Sequence, residues 1–138
     1  MNDLTLEQKA ALVVGAGFWA TVAVEGAGIR SVTLSDGPHG IRRQPDGGDH
    51  LGLGDSLAAT CFPPAAGLAS SWNPALVERV GRALGVEARA QAVDVLLGPG
   101  VNIKRDPRCG RNFEYFSEDP LLAGELGGAW VHGIKSTG

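Results

Sequence analysis

The chain has 138 residues, 43% of them hydrophobic and 20% charged, with a formal net charge of -3. That composition supplies enough apolar material for one domain with a core of its own, which excludes a disordered tail. The twelve Lys and Arg residues are scattered among fifteen Asp and Glu, so there is no basic footprint for nucleic acid or an anionic membrane, and small neutral partners fit better.

Met1 to Lys9 is polar and lacks the basic flank, apolar run and small-residue cleavage site of a signal peptide, so a cytoplasmic location is expected. Thr5 followed by Gln8 is a capping-box pattern. Leu6, Ala10, Leu12 and Val13 then give the apolar face of a short helix expected to end near Gly15 to Gly17. Ser31 to Ser35 contains the β-branched Val32 and Thr33 and is closed by the turn formers Asp36, Gly37 and Pro38, so it reads as a buried strand. Gln44 to Thr60 is Gly- and Asp-rich without a period, and is expected to be a loop. The small-residue stretch Ala65 to Ser70, after Pro63 and Pro64, reads as a second strand.

Asn73 and Pro74 mark a helix start, because Asn accepts from the free backbone N–H groups and Pro in the first turn gives up nothing. Leu76, Val77, Val80, Ala83, Leu84 and Ala88 continue it at helical spacing. Val93 to Leu97 is a third apolar run, ended by Gly98-Pro99-Gly100. Asp119 and Pro120 then repeat the cap-and-proline start ahead of Leu121, Leu122, Leu126, Ala129 and Trp130. Gly133 to Gly138 reads as the approach to a further strand. This order is that of a parallel α/β fold. A closed barrel of eight βα units takes roughly 250 residues, so the expectation is an incomplete TIM-type (β/α) barrel holding only about the first three units, with the chain truncated before the rest.

No apolar run is long enough for a membrane span. Cys61 and Cys109 lack CxxC spacing and suit buried thiols in a reducing compartment. His39, His50 and His132 have no partner at ligand spacing, so no metal is expected.

Three segments could carry chemistry. Gly15-Ala16-Gly17 with Ala20 matches a GxGxxA dinucleotide fingerprint, and Asp36 lies at the right interval to hold a ribose, giving an NAD-binding oxidoreductase as the alternative function. That motif needs a strand before it and a helix after it, whereas a helix is expected before it here. The second segment, Ser35-Asp36-Gly37-Pro38-His39-Gly40-Ile41-Arg42, follows a strand directly. Ligands of parallel α/β folds bind at such C-terminal strand ends, so Asp36 is placed to accept from substrate hydroxyls, or else merely to cap its own turn. Arg42 can pair with Asp36 or with another loop, and His39 reads as a packed, hydrogen-bonded loop histidine. The third segment is the loop Leu97 to Pro120, dense in charge. Arg111 there offers five donors in a fixed fork for hydroxyls or a carboxylate. The competing reading is ion pairing, with Glu114 and Glu118 neutralising Arg105, Arg108 and Arg111.

Together, Leu4 to Lys9 with Phe18-Trp19, Ser35 to Arg42, Ala59-Thr60-Cys61-Phe62-Pro63, Gly98-Pro99-Gly100-Val101-Asn102-Ile103, and Gly110-Arg111-Asn112-Phe113-Glu114 through Ser117-Glu118-Asp119-Pro120 closely resemble the start of β-glucosidases of glycoside hydrolase family three. The likeness runs in order over nearly the whole chain. It implies the N-terminal part of a barrel domain, followed in the full protein by the remainder of that barrel and a second, α/β sandwich domain. The implied activity is retaining hydrolysis of terminal β-linked sugars, without a cofactor. Retention uses two carboxyl groups about 5 to 5.5 Å apart, one attacking the anomeric carbon and one protonating the leaving oxygen. The resemblance puts the attacking Asp in a later Ser-Asp-Trp-like segment and the acid/base Glu in the second domain, both beyond Gly138. A sugar-gripping Lys-His pair should also come later, since Lys135 is followed by Ser136. Asp36 and Arg111 are then substrate-binding residues for the non-reducing sugar, Glu114 orients Arg111, and Arg42 supports the same site.

Overall fold

A computed structural model describes residues 4–45 and 54–138. The first helix, α1 (Leu6–Leu12), begins as expected: Gln8 N donates to Thr5 Oγ1 (3.2 Å) and Thr5 N donates to Gln8 Oε1 (2.9 Å). None of its residues is buried. The chain then runs through short bridges, Gly15 to Thr21, Ala20 to Thr33 and Val24 to Ile29, with a 3-10 turn at Glu25–Ala27.

Two strands form the sheet, β1 (Leu34–Ser35) and β2 (Val95–Leu96), paired in parallel with Leu34 opposite Val95 and Ser35 opposite Leu96. Both are shorter than the apolar runs that contain them. A parallel pair needs a crossover, and the chain supplies it through α2 (Ala65–Ala69) and α3 (Pro74–Ala90). The expected strand at Ala65 to Ser70 is therefore corrected to a helix. Its physical basis is plain: Ala65, Ala66 and Ala69 favour helix most of all residues, none of the stretch is β-branched, and extended Pro64 provides the entry. The described residues thus hold two paired strands rather than about three.

Asn73 Oδ1 accepts from Leu76 N (3.1 Å) to start α3. Asp119 accepts from Leu121 N (3.2 Å) and Leu122 N (3.1 Å) to start α4 (Pro120–Lys135). Each cap satisfies donors that a helix end otherwise leaves open. The end of the chain departs from expectation, because Gly133 to Lys135 belong to α4 instead of leading into a strand.

The reason lies in how α3 and α4 pack. A Cβ on Gly133 would overlap the Glu78 carbonyl oxygen of α3, and one on Gly81 would overlap the Trp130 carbonyl oxygen of α4. Glycine here permits two helix backbones to touch, so its presence near the chain end marks a contact rather than a turn. Around that contact Val77, Leu84 and Leu126 are fully buried and Trp130 nearly so. At about 1.5–3 kcal/mol per buried large aliphatic or aromatic side chain, this seam is the main source of stability in the described fold. Ile41, Leu68, Ala88, Val93 and Phe116 extend the same core under β1 and β2.

At the N-terminal end of the sheet, the Asp94 carboxylate accepts from Arg30 Nη1 (2.8 Å), Arg30 Nη2 (2.6 Å) and Thr33 N (2.8 Å). The Arg30 guanidinium, aided by the Thr33 N–H, pulls the Asp94 carboxyl down to about 2. Arg30 Nη1 also donates to Ser31 O (2.9 Å). The loop entering β1 is thereby tied to the start of β2.

Candidate functional site

The opposite end of the sheet carries the site. β1 ends at Ser35, and the next residue, Asp36, opens a closed turn in which Arg42 N donates to Asp36 O (3.0 Å) and Gly40 N donates to Gly37 O (3.2 Å). Gly37 has φ +112, and a Cβ there would strike the Gly40 carbonyl and Arg42 N. Only glycine fits that position. Asp36 Oδ1 accepts from Gly37 N (2.8 Å), so the carboxylate does cap its own turn. Its other oxygen, Oδ2, has no protein partner among the described residues. The turn-cap and ligand-binding readings of Asp36 are thus compatible, one oxygen serving each.

The loop after β2 returns over the same end. Leu97 N donates to Ser35 O (2.9 Å) and Lys104 N to Ser117 O (3.2 Å), while Gly100 bridges to Tyr115. A 3-10 turn at Asn112–Glu114 follows Arg111, whose Nε donates to Glu114 Oε1. Arg111 is raised, and Glu114 lowered, from their ordinary values by this bond and the attraction that goes with it. Both stay charged at neutral pH. The Nη1 and Nη2 groups of Arg111 carry no hydrogen bond among the described residues.

Asp36, His39, Arg42, Thr60, Cys61, Phe113 and Glu114 line one open cleft of about 440 Å³. Three of the four residues singled out in sequence, Asp36, Arg42 and Glu114, therefore meet in one place. Arg111 is not part of the lining, and reaches the cleft edge through its bond to Glu114. Beside it, Phe113 is 60% exposed, a ring face such as sugars pack against. Asp36 contributes a spare acceptor and Arg111 spare donors, the combination that neighbouring hydroxyls on a sugar ring require.

Several expectations change. Both ring nitrogens of His39 are buried without a hydrogen-bond partner among the described residues, so its ring is packed but not hydrogen-bonded there. Burial lowers its pKa, opposed by the charge of Glu114, and the ring is neutral at neutral pH. Arg108 pairs with Asp106 (2.7 Å) rather than with a glutamate, and no ion pair to Glu118 exists among the described residues. Cys61 and Cys109 are exposed thiols, not buried ones, since each lies in a loop at the open end of the sheet. The Gly15 and Gly17 fingerprint lacks its context: α1 precedes it where a strand is needed, and a partly exposed stretch with isolated bridges, not a phosphate-binding helix, follows. No described group of His, Cys, Asp and Glu could hold a metal, and no described helix is long and apolar enough to cross a membrane. His50 lies outside the described residues.

Two lining residues, Thr60 and Phe113, were given no role by sequence reasoning. Their signals were weak: a threonine between small residues, and an aromatic in a loop otherwise charged.

The chain is similar to known proteins over its whole length. The model of the glycosyl hydrolase family 3 N-terminal domain matches residues 46–138. Thermostable beta-glucosidase B of Acetivibrio thermocellus is 54% identical over 138 residues, covering 100% of this chain and 18% of the relative. An exo-alpha-(1->6)-L-arabinopyranosidase of Bifidobacterium longum is 52% identical over 139 residues, again 18% of its own length. Among solved structures, beta-glucosidase 3B of Thermotoga neapolitana in complex with glucose superposes with TM-score 0.86 at 42% identity, over 98% of this chain and 21% of that one. The chain thus spans about a fifth of the length of the proteins it matches.

Proposed function

The chain belongs to glycosyl hydrolase family 3 through its N-terminal domain, and from that premise we propose that it forms the sugar-holding part of a retaining β-glucosidase-type enzyme. In this reading β1, β2, α3 and α4 are early units of a (β/α) barrel. Its remaining units and a second α/β domain are supplied outside these 138 residues. The substrate is a terminal, non-reducing sugar of a β-glucoside or a related glycoside.

The observation that carries the proposal is the half-engaged Asp36 carboxylate at the C-terminal end of β1, in the same cleft as Glu114 and its Arg111. Asp36 accepts from two hydroxyls of the sugar, and Arg111, held by Glu114, donates to oxygens of the same ring. Arg42 is backbone-bonded to Asp36 and borders the cleft, which supports its helping role. These four residues bind and orient. The attacking Asp and the proton-donating Glu that retention requires lie elsewhere in the protein, and Glu114, committed to Arg111, is neither.

The test is hydrolysis of an aryl β-glucoside by the intact polypeptide that carries this segment, with the anomeric form of the product followed by NMR. Turnover with retained β-configuration is expected, and none from the 138 residues alone. Turnover by those 138 residues, abolished by Asp36→Ala, would put the nucleophile inside this chain and overturn the assignment. A parallel assay with an aryl α-L-arabinopyranoside separates the two activities named among the relatives.

A further inference from the structure

One wall of the cleft, Ala59 to Cys61, has no regular secondary structure, yet it is bonded on both sides. Toward the Asp36 turn, Phe62 N donates to His39 O (2.7 Å), and upstream Leu57 N donates to Arg43 O (2.8 Å). Gly40 leaves the space that the Thr60 carbonyl occupies, since a Cβ there would overlap it. Toward α3, the Glu87 carboxylate accepts from Thr60 N, at 3.3 and 3.2 Å from its two oxygens, and also from the Thr60 hydroxyl. One turn further on, Gln91, the residue at the C-terminal cap of α3, donates from Nε2 to Ala58 O (3.1 Å). Residues four apart share a helix face, so α3 presents an acceptor and a donor side by side to a stretch of chain that has no ladder of its own.

We propose that Glu87, seconded by Gln91, is a positioning residue for the sugar cleft. It never touches the sugar, and it fixes the Ala59–Cys61 wall at the separation from Phe113 and Glu114 that grips a sugar ring. The proposal rests on the sugar-cleft reading above. A carboxylate suits the task because Thr60 directs two donors at one point, and a charged acceptor takes both with stronger bonds than a neutral one. Glutamine offers a single carbonyl oxygen and sets an NH2 group beside those donors, while alanine offers nothing. A wall freed from Glu87 keeps its bond to His39 but gains freedom at Thr60, and small misplacements of site atoms are costly to function.

The experiment uses the intact enzyme carrying this segment, with Glu87→Ala, Glu87→Gln, Gln91→Ala and, as a control on an exposed position of the same helix, Arg79→Ala. Glu87→Ala is expected to raise KM for an aryl β-glucoside about three- to tenfold while kcat stays within about twofold, the signature of weakened binding common to ground and transition states. Glu87→Gln and Gln91→Ala should fall between it and the unaltered enzyme, and Arg79→Ala should match the latter. Alkylation of Cys61 by iodoacetamide, mapped by peptide mass, is expected to quicken in Glu87→Ala and to lose part of its protection by glucose. If Glu87→Ala does not fold, Thr60→Val removes one of the two donors and should raise KM by a smaller factor. In the double variant the two effects should not add, because they remove one interaction.

An enzyme that hydrolyses the glucoside but shows unchanged KM and unchanged Cys61 alkylation in Glu87→Ala overturns this inference alone. So does a variant that loses only thermal stability. An unaltered enzyme without glycosidase activity overturns the sugar-cleft reading and this inference with it.

Discussion

The two ends of the sheet each carry an arginine paired with a carboxylate, and they use the pair differently. At the N-terminal end the pair is saturated at its facing groups: both Nη groups of Arg30 and both oxygens of Asp94 are bonded, and Thr33 N and Ser31 O complete the set. At the C-terminal end Arg111 spends only Nε on Glu114, and Asp36 spends only Oδ1 on Gly37. A saturated pair fastens two pieces of chain, whereas a half-used one keeps donors and acceptors for something else. Residue type alone does not separate these cases, and the count of bonds left over does.

The comparison breaks most visibly if Asp36 is removed. Asp36→Ala in the intact enzyme is expected to lower kcat/KM for an aryl β-glucoside by about 10²- to 10⁴-fold, since charged hydrogen bonds are worth about 1.5–3 kcal/mol each and two are lost. Arg111→Ala should cost about 2 kcal/mol in the same measurement, with Arg111→Lys recovering only part because a point charge does not reproduce the fork. Arg111→Ala should leave the thermal midpoint nearly unchanged, whereas Asp36→Ala also loses the bond from Gly37 N and should lower it modestly.

Away from both ends, Gly133→Ala forces a methyl group against the Glu78 carbonyl and should destabilise the fold by about 1–3 kcal/mol, read in a thermal or urea melt. The smallest effect falls on the saturated end. Asp94→Asn should cost about 1 kcal/mol of stability and leave KM unchanged; the full pKa shift would imply more, but the Arg30 side chain is 71% exposed and solvent screens the pair. Because Asp94 is depressed to about 2, its contribution is complete above about pH 4. It then fades as pH falls toward 2. The stability gap between Asp94→Asn and the unaltered protein should narrow over that interval and close by about pH 1, and a gap undiminished at about pH 1 would mean the pair is not its source.

What could be read from the sequence follows the range of the interaction responsible. Thr5, Asn73 and Asp119 announce their helices because a cap bonds within three residues of itself. Asp36 and Glu114 were legible because a strand end and a charge-dense loop are local signals as well. Ala65 to Ala69 was misread since a short run of small residues has no period to separate helix from strand. Gly133 was misread for the opposite reason: a contact with α3, more than fifty residues earlier, determines it. The Thr60–Glu87 bond joins residues 27 apart, and nothing near either one announces the other.

The glycine contact between α3 and α4 sets a phase as well as a distance. Gly81 fixes how α3 is rotated against α4, and Glu87 lies six residues further on. A helix turns about 100° per residue, so a single residue inserted between Gly85 and Glu87 would swing Glu87 away from Thr60 while leaving the Gly81 and Gly85 contacts with α4 in place. Length in this stretch of α3 is therefore constrained by angle: the helix works as an indexed shaft, with the seam as its key and the cleft wall as the part it must face.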